Sequence, residues 1–192
     1  MLSEKLKVDF ASMRVEILDL NVLAYFYVRK LNRLAHIIKT TTREYLLEEF
    51  TALRYMENGI ILHLTNLDDD SSNFSFRTAS AAFKRSTRDQ KAQTQIHETL
   101  KTFRKNLNDV KVAHRNKRIA HLNYEKDLRF DEFLDFEKVL LPLINEANTI
   151  ADEFWGEKIN AKFRLGSLEG HIDFRRTPDD LKVDVNKFDG FF

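Results

Sequence analysis

The chain reads as all-α: an up-and-down four-helix bundle followed by a non-helical C-terminal arm. Three observations predict this. Only 5 glycines and 2 prolines occur in 192 residues, too few to punctuate an all-β fold and suited to long uninterrupted helices. Apolar residues recur at steps of three and four along four long stretches, the period of a helix with a buried face. That period stops at Gly156. The boundary separates a helical domain over residues 1–156 from an extended or hairpin arm over residues 157–192. Hydrophobic residues make up 43% of the chain and include 16 Phe, enough for one core rich in aromatic rings.

The first helix is expected from about Phe10 to about Thr40. Its stripe is Met13, Ile17, Leu20, Ala24, Val28, Leu31, Ala35 and Ile38. Leu18, Val22, Tyr25 and Phe26 widen it, so this helix should be contacted from more than one side. Thr41 with Glu44 makes a capping box, opening a second helix that runs to about Leu67. The seam there is Leu46, Phe50, Leu53, Glu57, Ile60, Leu64 and Leu67. An acid on an apolar seam is costly unless it is paired or at the stripe's edge. Two readings of Glu57 stand: an edge position with its carboxylate in water, or a partner that holds a catalytic arginine or histidine.

The run Asp68-Asp69-Asp70-Ser71-Ser72-Asn73 ends the helix in a polar loop. Consecutive loop aspartates rarely converge on one ion, and no Ca²⁺-loop pattern follows. Thr78 to Phe83 is expected as a short helix that packs Phe83. The third long helix is expected from Thr87, with Gln90 completing a capping box. Its seam, Ile96, Leu100, Phe103, Leu107 and Val110, continues at the same spacing into His114, Lys117 and His121. A seam that turns from apolar to titratable marks the place where packing gives way to a site. The fourth helix is expected from about Phe130 to Trp155, with Asp131 and Glu132 in its first turn, where they suit the dipole. Its stripe is Phe133, Phe136, Leu140, Leu143, Ala147, Ile150 and Phe154. Pro142 falls inside it and costs about 3 kcal/mol in a helix interior, so a kink or a division is expected. Past Gly156 the pattern alternates over residues 162–174, with two glycines. The closing Phe188-Asp189-Gly190-Phe191-Phe192 is an apolar end that calls for a cover.

There are no cysteines, which excludes disulfides, thiolate nucleophiles and Cys-ligated metal sites. The first ten residues carry charges and lack an apolar h-region, so no secretory signal is expected. No apolar run is long enough to span a bilayer, and a cytoplasmic protein without membrane contact is the expectation. The net charge of +1 hides an asymmetry. From Arg77 to Arg118 twelve Lys/Arg face three Asp/Glu; from Arg129 to Lys158 three face eight. A concentrated positive field suits a polyanion; a solvated lysine-rich helix face gives the same count.

The basic half contains His114-Arg115-Asn116-Lys117-Arg118-Ile119-Ala120-His121-Leu122-Asn123. Cleaving RNA without a metal needs a base for the 2′-hydroxyl, an acid for the leaving 5′-oxygen and a cation for the phosphorane. Histidine suits the first two roles because its pKa of about 6.5 lets both forms exist near neutrality. Arginine suits the third through its planar fork, and asparagine can orient either party.

Arg115-Asn116-x-x-x-x-His121 resembles the signature of the HEPN superfamily. These are small helical domains, many of them metal-independent ribonucleases of toxin–antitoxin and phage-defence systems. The wider stretch is most similar to the AbiU2-like abortive-infection branch. The resemblance implies a HEPN-like bundle acting as a homodimer, two motifs across one cleft, RNA as substrate, an antitoxin protein as partner, and neither metal nor cofactor. It assigns acid–base catalysis to His121, phosphate stabilisation to Arg115 and orientation to Asn116. His114, Lys117 and Arg118 would bind substrate, with Glu57 in support. The alternative is a non-catalytic helical module that binds RNA or protein. His114 can equally be a hydrogen-bonded seam histidine, and Arg115 a structural partner of Glu57 or an aspartate. His36, His63, His97 and His171 read as surface or structural. One HEPN branch carries a tyrosine two residues after the histidine as a modification site. Here that position is Asn123 and Tyr124 comes one later, so the modification is not carried over. On an ideal helix Arg115 and His121 stand about 120° apart; Arg118 faces His121 better.

Overall fold

A computed structural model describes residues 4–86, 89–113, 133–159, 161–165 and 168–175. Among these the architecture is helical. Helix α1 spans Glu4–Thr40, α2 Arg43–Leu67, α3 Phe76–Ser86 and α4 Gln90–Val110. A π-helical turn, Phe136–Leu140, leads directly into α5, Leu141–Trp155. Strands β1 (Ala161–Leu165) and β2 (Leu168–Ile172) then form an antiparallel hairpin, with Ala161 opposite Ile172 and Leu165 opposite Leu168.

The apolar stripes build the core as their spacing requires. Met13, Ile17, Leu20, Ala24 and Val28 of α1 are buried, as are Phe103, Leu107 and Val110 of α4 and Leu143, Ala147, Ile150 and Phe154 of α5. α1 packs against α2, α3 and α5, and α4 packs against α3 and α5. The centre is aromatic: Phe154 meets Phe10 at 5.5 Å and both Phe76 and Phe83 at 6.3 Å between ring centroids. The stripe of α1 outlasts the core, since Ala35 and Ile38 are exposed. Two buried polar side chains join α1 to α5. Asn21 and Asn148 exchange amide hydrogen bonds of 2.7 and 2.9 Å, and Asn21 Nδ2 also donates to the Ile17 carbonyl.

Several boundaries differ from the expected ones, each for a local reason. α1 begins at Glu4, before Phe10. The N-cap of α2 is Thr42, not Thr41: Thr42 has extended backbone and its hydroxyl accepts from Tyr45 N–H, the bond that defines a cap. α4 is capped by Asp89, which accepts from Lys91 and Ala92; a carboxylate there also suits the helix dipole, and Gln90 is the first helical residue. The last helix does not start at Phe130: residues 133–135 are non-helical, and Asp135 caps the π turn through Lys138 N–H. Pro142 explains that turn. In an α-helix its ring would strike the carbonyl four residues back. Instead Leu141 N–H reaches the Phe136 carbonyl, an i→i−5 bond that widens the turn and leaves Pro142 in the first turn of α5. Gly156, at φ 81°, ends α5 in the left-handed conformation, which glycine adopts without a Cβ penalty.

Residues just beyond the hairpin return to the helices. Arg175 forms a two-pronged pair with Asp152 at 2.6 and 2.9 Å, while Asp152 also accepts from Ile159 N–H. Phe174 packs edge-on to Tyr25 at 5.3 Å. No described helix is long and apolar enough to cross a membrane.

Candidate functional site

His114, Arg115, Asn116, Lys117, Arg118 and His121 lie outside the described residues. The flanks of their segment are placed, and both are fastened to α2. On the incoming side α4 ends at Val110, which is buried, and the chain continues as π-helix over residues 111–113. Helical phase carried at 100° per residue therefore does not extend past Val110, because a π turn holds more residues than an α turn. Lys111 donates to Asp68 at 3.1 Å. On the outgoing side Leu134 N–H donates to Glu57 at 2.5 Å. Glu57 lies on α2 and Asp68 is its C-terminal cap, eleven residues on, about 16 Å along the helix axis.

Glu57 is fully buried, so the edge position with a carboxylate in water is wrong. The reason is visible in its neighbours. The non-helical stretch before the π turn lies against α2, and its free backbone N–H needs an acceptor once it is covered. Phe133 stacks on Phe50 at 6.0 Å, and Phe136 packs on the buried Tyr27 ring at 5.7 Å. Glu57 thus sits between two ring contacts that hold residues 133–136 to α1 and α2. Its apolar neighbours on the seam predict its burial; its partner, 77 residues away, has no local signature.

Asp68 is the second anchor. It is 6% exposed and takes Arg104 at 2.9 Å as well as Lys111. Asp70 takes Arg77 and Arg104. Burial works to lower the pKa of Arg104, but hydrogen bonds and charge from Asp68 and Asp70 outweigh it and raise it above the ordinary value. The aspartates that end α2 therefore neutralise three cations of the basic half. Lys84, Arg85, Lys91 and Lys105 have no ion pair among the described residues. The positive charge open to a ligand is smaller than the linear count, because Asp68 and Asp70 fall outside the counted window and fold onto it.

His63 has company that sequence reasoning missed. Its Nδ1 lies 3.0 Å from Glu16 Oε1, which also accepts from Asn66. Burial pushes the Glu16 carboxyl up, yet these hydrogen bonds and the His63 charge hold it below the usual range. Asn66 follows His63 by three residues on α2, whereas Glu16 is 47 residues from His63 on α1. This cluster reads as a half-buried clasp between α1 and α2. No group of three or more potential metal ligands occurs among the described residues.

No family model, curated protein or solved structure matches the chain.

Proposed function

We propose that this chain is a metal-independent endoribonuclease of HEPN type, acting on cytoplasmic RNA as a homodimer in a toxin or antiphage role. The observation that carries the reading is Arg115-Asn116-x-x-x-x-His121 within the most basic stretch of the sequence. The anchors on both flanks support it, since a catalytic segment gains from fixed ends. Outward-facing apolar residues spaced by seven, Val8 with Val15 on α1 and Tyr55 with Leu62 on α2, offer a second copy surface to cover.

In this reading the 2′-oxygen attacks phosphorus, giving a 2′,3′-cyclic phosphate and expelling the 5′-oxygen. One His121 accepts the 2′-proton and its counterpart in the second copy protonates the 5′-oxygen. Arg115 holds the non-bridging oxygens as charge builds. Asn116 orients the reacting groups, and His114, Lys117 and Arg118 bind flanking phosphates. Glu57 supports the segment from outside the chemistry, and an antitoxin protein would restrain the dimer.

The test is cleavage of single-stranded RNA by purified protein in EDTA, with product ends identified. Wild type should leave 2′,3′-cyclic phosphates, and His121→Ala should lose about 10²–10⁴-fold in rate. A folded His121→Ala protein that cleaves as well as wild type refutes the catalytic assignment. Salt-sensitive binding without turnover would instead establish the non-catalytic RNA-binding module.

A further inference from the structure

We propose that the outer face of α1 is the docking surface of the chain's own C-terminal segment, residues 181–192, which covers it from Phe26 towards Val8. α1 carries two apolar stripes. Met13, Ile17, Leu20 and Ala24 make the buried one. Val8, Ala11, Val15, Leu18, Val22 and Phe26 follow one another at steps of three and four on the opposite side. Leu18 and Val22 are half-buried, and Val8, Val15 and Phe26 are 75%, 49% and 46% exposed. A single exposed apolar residue is ordinary. A stripe in helical register from Val8 to Phe26, about 27 Å of axis, is a patch that calls for a cover.

Phe174 identifies the cover. Its ring lies 5.3 Å from that of Tyr25 and 6.3 Å from that of Phe26, at one end of the stripe, and Arg175 is fastened to Asp152. The chain therefore leaves the hairpin on this face, with 17 residues still to come. Beyond Phe26 the face turns to Arg29 and Arg33, so the apolar path leads only towards Val8. Residues 181–192 lie outside the described residues, and their sequence suits that path. Leu181, Val183 and Val185 alternate with Lys182, Asp184 and Asn186, and Phe188, Phe191 and Phe192 follow. In an extended chain alternate side chains recur at about 6.6 Å, close to the ~6 Å between residues four apart on a helix. Residues 181–192 can span up to about 36 Å, enough for the stripe. A segment tethered at Phe174 meets the face at an effective concentration of roughly millimolar order, an advantage that no free partner has. The segment and a second copy then compete for Val8 and Val15, whereas Tyr55 and Leu62 on α2 stay open to the second copy. The assignment does not rest on RNA cleavage.

The chain has no cysteine, so introduced pairs of cysteines report where the segment lies. Under mild oxidation of the full chain at low micromolar concentration, Ala11→Cys/Asp189→Cys should close an intrachain disulfide at least about tenfold faster than Glu48→Cys/Asp189→Cys. Ala11 and Glu48 are both exposed. Glu48 adjoins Glu49, which pairs with Lys30 one helical turn from Phe26. An undocked segment, rooted at Phe174, would therefore reach Glu48 sooner than Ala11 and reverse the order. Val8→Lys/Val15→Lys, added to the first pair, should slow closure about tenfold with helix content by circular dichroism unchanged. The comparison of the two cysteine pairs stands without it. The proposal is overturned by equal or faster closure in the Glu48 pair, by closure that the folded lysine variant leaves unchanged, or by disulfides that are mainly interchain, which would put a second copy on the face.

Discussion

Replacing Asn21 or Asn148 by leucine tests what holds α1 to α5. The two amides are 4% and 6% exposed, so neither can turn to water when its partner is removed. Their bonding is unequal. Asn148 has both its hydrogen bonds to Asn21, whereas Asn21 also donates to Ile17. Asn21→Leu therefore strands an acceptor and a donor on Asn148, and each stranded group costs about 1–3 kcal/mol. The sum is about 4 kcal/mol. Asn148→Leu strands only the Asn21 oxygen and should cost about 2 kcal/mol. Leucine is close to asparagine in size, so the double variant replaces a polar contact with an apolar one and should lie within about 1–2 kcal/mol of wild type. Urea unfolding followed by circular dichroism measures all four proteins. With a slope of about 2 kcal/mol/M, the single variants should lose about 2 M and 1 M in midpoint. The double variant should recover most of that, giving a coupling energy above about 2 kcal/mol. Equal losses in the two single variants, or additive losses in the double, would refute the reasoning.

Glu57→Ala should destabilise by about 2–4 kcal/mol in the same assay, because the covered Leu134 N–H loses its acceptor and a cavity is left; hydrogen exchange at Leu134 should rise well above that of the α5 core, and unchanged exchange would dismiss the anchor. Glu16 should contribute to acid sensitivity. Its folded pKa lies below the ordinary value, so its stabilisation is present above the unfolded pKa and is lost as pH falls through the folded one. Glu16→Gln should flatten the acid limb of stability against pH, and an unaltered limb would show that the contact with His63 and Asn66 contributes nothing.

The long-range frame was legible because burial repeats with helical period. The stripes of α1, α4 and α5 mark the residues that became core, from Met13 to Phe154. What escaped was set by pairing across distance or by competition at an end. Thr41 and Thr42 offer the same hydroxyl, and only the path of the chain decides which one caps α2. Pro142 announces a disturbance but not its form; the π turn is one of several ways to clear its ring. The Asp68 and Asp70 carboxylates look like a helix terminator in one dimension and become counter-charge once α4 folds against them. Of the residues assigned to the motif's chemistry, Glu57 alone is placed, and its full burial comes from the Phe133–Phe136 stretch laid over it.

The Asp152–Arg175 pair closes a loop that includes the whole hairpin. It joins residues 23 apart, so everything between them is tethered at both ends without a covalent link. A tethered loop is forgiving of length: doubling it costs only about 0.6 kcal/mol in closure entropy. Extra residues introduced between Leu165 and Leu168 would therefore disturb the helices little. Loss of the Arg175 side chain would remove one of the contacts that hold the base of the loop, leaving Ile159 on Asp152 and Phe174 on Tyr25, so the hairpin's place on the molecule depends on residues that lie outside both of its strands.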